Sequence, residues 1–133
     1  MKIAVSAMGT DLDSQVDPRF GRCQYFIIVD SDTLELEAVE NPNIGLMSKA
    51  GTQSGCMMAD RGIQVVLTGN MGPNAFQTLS AAGIQVMAGV NGTVREAIHQ
   101  LNSEQLRPVS SATVPEYFSV RTVCLGTEDD EFV

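Results

Sequence analysis

The sequence predicts one α/β domain built on a five-stranded mixed sheet, strand order 3-2-1-4-5, with helices on both faces. Three observations carry this. Two short, almost wholly apolar runs, Ile63–Leu67 and Ile84–Ala88, read as strands covered on both sides, and each precedes a helical pattern. Two further runs flank a Ser31-Asp32 turn and read as a hairpin. The order of elements is then β, ββ, α, β, α, β, α; right-handed crossovers make strands one, four and five parallel and leave the hairpin on one side.

Taken in order, Lys2–Ala7 is strand one, with Ile3 and Val5 sharing a face. Tyr25–Val29 is strand two. Leu34–Val39 alternates with period two, which predicts Leu34, Leu36 and Ala38 inward, Glu35 and Glu37 outward, and an edge position for strand three. A first helix is expected from near Thr52 or Ser54 to a C-cap at Gly62. After Leu67, the turn Thr68-Gly69-Asn70-Met71-Gly72-Pro73 leads into a second helix: Pro73 suits the first helical position, Ala75, Phe76, Leu79 and Ala82 follow at helical spacing, and Gly83 ends it. Thr93-Val94-Arg95-Glu96 is a capping box, with Val94, Ala97, Ile98 and Leu101 at i, i+3, i+4 and i+7 for a third helix. Residues 1–106 form the expected domain. Residues 107–133 form a C-terminal extension, interrupted by Pro108 and Pro115, with a possible short strand at Val120–Leu125 and the acidic run Glu128-Asp129-Asp130-Glu131.

At 133 residues the chain suffices for one domain with a substantial core. No apolar run approaches the ~20 residues that span a bilayer, and the N-terminus lacks a signal peptide's layout, so the expectation is a cytoplasmic protein with no membrane partner. A formal charge of −8 opposes nucleic-acid binding. Three cysteines without C-x-x-C spacing indicate neither a disulfide framework nor a zinc knuckle.

Against that acidic background, Asp17-Pro18-Arg19-Phe20-Gly21-Arg22-Cys23 ends a loop of unusual length and sets two guanidinium groups around an aromatic residue. The composition suits a clamp for a small anion, and equally a surface loop tethered by Phe20. In an open α/β sheet this loop, the opening of the first helix and the turn after strand four gather along the carboxyl ends of the strands, where backbone N–H groups hold anions or cofactors. The turn alone could equally be a tight βα connection whose glycines serve the backbone only.

The combination Asp17-x-Arg19-Phe20-Gly21-Arg22, Gly51-x-x-x-Gly55, Thr68-Gly69-x-x-Gly72-Pro73-Asn74-Ala75, Gly83-Ile84-x-Val86 and Gly89-x-x-Gly92-Thr93-Val94-x-Glu96-Ala97-Ile98 resembles the dinitrogenase iron-molybdenum cofactor biosynthesis family, the NifX/NafY/NifB C-terminal domain group. The match spans roughly Met1–Leu101. The resemblance implies a ribonuclease H-like fold and a protein that binds metal–sulfur clusters or their precursors and passes them on without catalysis; the related orange-protein type holds a molybdenum–copper sulfide cluster non-covalently. It implies cofactor contacts at Arg19, Phe20, Gly21 and Arg22, at Gly51 and Gly55, and at Gly69, Asn70, Gly72 and Asn74. Members on the nitrogenase side often carry histidine where this chain has Arg19. A guanidinium has no lone pair to offer a metal, so Arg19 favours electrostatic capture of an anionic cluster such as a thiomolybdate.

Cys23, Cys56 and Met71 are the candidate soft metal ligands, since thiolate and thioether suit Cu(I) and metal–sulfur species. Each also fits ordinary packing, as small core residue or gap filler. His99, one residue beyond the apolar stripe, reads as a surface residue, and Cys124 receives no role. The expected function is therefore a small non-catalytic carrier of a metal–sulfur cluster, of Fe-Mo or Mo-Cu sulfide type, in cofactor assembly or delivery. Its expected partners are a cluster donor or acceptor protein, and its expected state a monomer or weak homodimer. The alternatives are a nucleotide- or anion-binding regulatory module, or a metal-dependent phosphoryl-transfer enzyme, which would need Asp11, Asp13 and Asp17 folded together because strand one carries no carboxylate.

Overall fold

The structure is a computed structural model and describes residues 1–33, 35–42, 50–103, 106 and 108. The elements are β1 (Lys2–Ala7), β2 (Tyr25–Asp30), β3 (Leu36–Glu40), α1 (Ala50–Asp60), β4 (Val65–Leu67), α2 (Pro73–Ala81), β5 (Gln85–Met87) and α3 (Val94–Asn102). The sheet order is β3-β2-β1-β4-β5. β1 runs antiparallel to β2 and parallel to β4, with Ile3 beside Val65 and Val5 beside Leu67. The order and directions expected from the crossover rule are those observed.

Because successive side chains alternate across a strand, each strand feeds two cores. On one face Ala4, Phe26, Ile28, Val66 and Val86 pack with Met58 of α1 and with Ala75 and Leu79 of α2. On the other, Ile3, Val5, Ile27, Val65 and Leu67 pack with Val94 and Ala97 of α3, and Leu12, Leu101 and Leu106 border this layer. The fully covered strands β1 and β4 therefore had to be apolar on both sides.

Strand three departs from expectation. Leu36 is 41% exposed and Ala38 is also exposed, whereas Val39 is the half-buried residue. The register explains the inversion. Val39 pairs with Phe26 on the α1–α2 face, while Leu36 and Ala38 pair with Val29 and Ile27 on the face where α3 lies against β1. The edge strand thus extends past the cover on that side. Glu37 lies on the covered face but reaches Arg61 just beyond α1 (3.4 Å), an exposed pair. Leu34, also expected inward, lies outside the described residues, as does Val120–Leu125.

α1 starts at Ala50, earlier than the Thr52 or Ser54 expected, and includes Gly51 and Gly55. Glycine inside a helix costs about 0.5–1 kcal/mol relative to alanine, so its presence needs a compensating contact. Here that contact is α2. A Cβ on Gly51 would sit 3.0 Å from the Cβ of Ala75, and one on Gly55 would sit 3.0 Å from Cγ2 of Thr78. The two glycines let the helices approach closely and bring the first turn of α1 beside the first turn of α2. Gly62 and Gly83, with φ of 72° and 77°, follow α1 and α2 in the left-handed region, as their capping roles predicted. A Gly55→Val change should force the helices apart and destabilise the fold by about 1–3 kcal/mol, the usual range for overpacking. Urea denaturation measures this; an unchanged midpoint would contradict the close helix contact.

Candidate functional site

The loop between β1 and β2 consists of two halves with different duties. The first folds back on β1 and on the start of α3. The Met8 N–H donates to the Gln15 carbonyl (2.9 Å), and Val16 forms an antiparallel bridge with Ala7. At α3, the Val94 and Arg95 N–H groups donate to the carbonyls of Ser14 (2.9 Å) and Leu12 (2.8 Å). The Thr93 side chain accepts from the Glu96 N–H, and Glu96 returns the bond to the Thr93 N–H, completing the predicted box. The opening donors of α3 are consumed within the protein. The aspartates do not converge: Asp11 accepts from the Asp13 N–H and the Ser14 hydroxyl, Asp13 pairs with Arg95 at 3.3 Å, and Asp17 turns to Arg19. Among the described residues no group of three or more His, Cys, Asp or Glu is arranged to hold a metal ion.

The second half, Asp17 to Cys23, is seated on the turn between β4 and α2. The Asn70 N–H donates to the Pro18 carbonyl (2.7 Å), and Arg19 and Asn70 form a parallel bridge. Gly69 makes this possible, because a Cβ there would lie 2.7 Å from Cα of Pro18, closer than any side chain allows. Beneath the junction, the buried Ser6 hydroxyl donates to the Asp17 carbonyl (2.7 Å) and lies 2.8 Å from the Thr68 hydroxyl, joining the ends of β1 and β4 to the loop. Phe20 is buried against Phe26, with ring centroids 5.4 Å apart and planes at 56°. The Asn41 amide donates to the carbonyls of Gly21 (3.0 Å) and Cys23 (2.8 Å). Held from below in this way, the loop presents Arg19 and Arg22 at the surface.

Arg19 is not loose. Oδ1 of Asp17 accepts from its backbone N–H (2.9 Å) and from Nε (3.2 Å), and Oδ2 accepts from Nη2 (3.4 Å). Asp17 is 1% exposed and Arg19 60%. Hydrogen bonding to Asp17, followed by its charge, raises the Arg19 pKa further above its already high value, so the guanidinium is a permanent cation.

Beside this loop opens the N-terminus of α2. Gly72 is the N-cap, without a side-chain cap bond, and Pro73 has no N–H to satisfy. The first helical closure is from the Phe76 N–H to the Gly72 carbonyl. The N–H groups of Asn74 and Ala75 have no partner among the described residues. Unlike α3, α2 therefore has donors at its positive end without a partner among the described residues.

The three soft-ligand candidates sit differently from the arginines. Cys23 is fully buried; burial first, and the nearby Asp17 charge second, push its thiol from an ordinary 9.0 up to about 12. Cys56 is disulfide-bonded, so it offers no thiolate in this state. Met71 is buried in the core beneath α1 and α2. Gly51 and Gly55 lie in the contact of α1 with α2, and Phe20 is buried under the loop; the structure brings Arg19 to Asn70 and Pro18 to Gly69, ties Gly21 to Asn41, and leaves Arg22 exposed on the loop and Gly72 and Asn74 at the opening of α2. His99 is exposed on α3, away from them. Ser6, Thr68, Asn41 and the Asp17 carboxylate, which hold the loop, were missed as site residues. For Asp17 the signal was present: an aspartate two residues before the arginine is the spacing at which its side chain accepts from the backbone.

The donor set is thus cationic and N–H-rich, with sulfur withdrawn, and it suits a small polyanion held by hydrogen bonds. A family model described as dinitrogenase iron-molybdenum cofactor matches residues 1–104. The chain belongs to the dinitrogenase iron-molybdenum cofactor family. Its structure is similar to that of the apo form of the orange protein from Desulfovibrio gigas, at 40% identity and a TM-score of 0.83, covering 85% of this chain and 96% of that one. A candidate NifB protein from Thermotoga is 35% identical with a TM-score of 0.76, over 85% of this chain and 97% of its own. An uncharacterised protein of Methanocaldococcus jannaschii is 28% identical over 102 residues, 74% of this chain and 86% of that protein. Family membership therefore covers the described domain. No described helix is long and apolar enough to cross a membrane.

The state of Cys23 has a measurable consequence. Between pH 9 and about pH 12 the unfolded thiol ionises while the folded one keeps its proton, so the unfolded chain binds fewer protons and stability falls as pH rises. Below pH 9 the residue contributes no slope. Unfolding midpoints for wild type and Cys23→Ala from pH 8 to 11 should show a steeper alkaline decline in the wild type; parallel profiles would mean an accessible, ordinary thiol.

Proposed function

We propose that this protein is a non-catalytic carrier that binds a metal–sulfur cluster, or its anionic thiometallate precursor, and passes it to a partner during cofactor assembly. The observation that supports this reading is the seating of the arginine loop on the βα turn, which joins the backbone of Pro18 and Arg19 to Asn70 three residues before α2, whose first N–H groups have no partner among the described residues. Family membership supports the class of cargo, and the likeness to the orange protein supports a stand-alone binder. Charge-assisted hydrogen bonds contribute roughly 1.5–3 kcal/mol each, so three or four hold a small polyanion without any metal–protein bond. A cargo of Mo-Cu or Fe-Mo sulfide type fits such a site from outside, through its terminal sulfur atoms, which accept hydrogen bonds. The partners are then the proteins that supply and receive the cluster.

The same donors also accept phosphate, so a nucleotide- or anion-sensing role uses the same residues. A phosphoryl-transfer role lacks support, because the three loop aspartates each serve a different partner.

Reconstitution tests the reading. Apo-protein incubated with tetrathiomolybdate and Cu(I) should retain metal and visible absorbance through gel filtration, and Arg19→Ala or Arg22→Ala should each weaken retention about tenfold, the loss of one charge-assisted bond. Passage of the metal in the salt volume, or displacement by millimolar nucleotide with no loss in the arginine variants, would overturn the assignment.

A further inference from the structure

Asp17 is a negative charge built into a site that is read as anion-binding. Its carboxylate is buried, it stands two residues before Arg19, and its charge offsets one of the two positive charges of Arg19 and Arg22. On Coulomb's law alone this placement weakens the capture of an anion. The geometry supplies a reason for keeping it. Asp17 takes the Nε–Nη2 edge of the Arg19 guanidinium and also the Arg19 backbone N–H, so the side chain is held at its root and along one side. The opposite edge, formed by Nη1 and the second hydrogen of Nη2, has no hydrogen-bond partner among the described residues, on a side chain that is 60% exposed. Asp17 is itself fixed on the backbone side: its N–H donates to the Ser6 carbonyl (2.9 Å) and its carbonyl accepts from the Ser6 hydroxyl (2.7 Å).

Resting on the carrier reading above, we propose that Asp17 is a positioning residue that locks Arg19 into a single outward fork, and that this fork selects cargo presenting two acceptor atoms on one centre, as the terminal sulfurs or oxygens of a tetrahedral thio- or oxometallate do. A planar guanidinium with its Nε–Nη2 edge occupied keeps one edge with two parallel donors, on Nη1 and Nη2, besides the remaining single hydrogen of Nη1. Ordering Arg19 before the ligand arrives also spares the rotamer entropy that a free arginine would lose on binding. A monatomic anion must share one acceptor between the two donors, whereas a polyatomic one offers each donor its own acceptor in line.

Because Asp17 repels the ligand and positions its partner, the two effects have opposite signs. Asp17→Asn removes the charge and keeps the shape, including an oxygen able to accept from the Arg19 backbone. If Asp17 positions Arg19, titration with tetrathiomolybdate should show this variant binding about tenfold more weakly than wild type despite its extra positive charge, and Arg19→Lys, which keeps the charge but has no fork, should fall to a similar level. Equal or tighter binding by Asp17→Asn overturns the proposal. A measurement without ligand stands apart from the carrier reading: in the ¹H–¹⁵N spectrum of the apo-protein, the Arg19 Nε–H should be observable and slow to exchange in wild type, and lost to exchange in Asp17→Ala, which removes the Oδ1 acceptor that Asp17→Asn keeps. An Arg19 signal that is already fast in wild type overturns the positioning role whether or not any thiometallate binds, and a slow signal with no thiometallate binding overturns the carrier reading and, with it, the selection of cargo. Thermal unfolding of Asp17→Ala and Asp17→Asn separates a loss of fold, which would leave all arginine signals in unfolded positions, from the specific loss of this one.

Discussion

The junction between Pro18 and Gly69 is the contact on which the rest of the site depends. One glycine without a side chain lets two backbone segments touch, and the Asn70 N–H closes the contact on the Pro18 carbonyl at 2.7 Å. Everything exposed at the site is displayed from this junction. If the turn carried any Cβ at position 69, the loop would have to lift, and the arginines would move away from the helix terminus they stand beside. The buried hydroxyls of Ser6 and Thr68 reinforce the same point from below, tying the ends of two parallel strands to the loop through groups that are fully satisfied in the interior. A buried polar pair of this kind is costly unless complete, and here it specifies one loop position.

Much of the fold was legible because it follows from period and order. Two doubly covered strands, each leading into a helix, and one hairpin leave few topologies once crossovers are right-handed. The capping box of α3 was readable from four residues, since its chemistry is local. The misreading of β3 has an equally plain cause. Alternation states which residues share a face but not which face is covered; at an edge strand the cover from α3 ends before Leu36 and Ala38, so the apolar stripe lies in solvent and Val39 turns inward. That information belongs to the tertiary arrangement and has no local signal.

For the site, proximity of loop, turn and helix opening could be read from the sheet rule, but the division of labour could not. Gly51 and Gly55 are compatible with ligand contact and with helix packing, and the packing role becomes visible only in the 3.0 Å approach to α2. Phe20 likewise anchors from the core. The cysteines illustrate the same limit: a cysteine next to two arginines suggests a lowered thiol pKa, yet Cys23 points away into the core, where desolvation outweighs the nearby cation. The direction in which a side chain leaves a loop decides its chemistry, and spacing alone does not record it.

A carrier has to release what it holds, and this constraint connects the withdrawn sulfur to the exposed arginines. A thiolate binds a soft metal tightly, so release requires a competing ligand of similar strength. Hydrogen bonds from guanidinium and backbone groups at an exposed site are individually modest and are weakened by salt and by competing water. Burying Cys23 as a protonated thiol, enclosing Met71 in the core and engaging Cys56 in a disulfide remove the groups that would convert capture into ligation. With Asp17 offsetting one of the two arginine charges, the electrostatic attraction is moderated, and on the proposed reading recognition falls on shape, above all on the fork of Arg19. A site of that kind would hold an anion that fits and let it go when a partner offers true metal ligands.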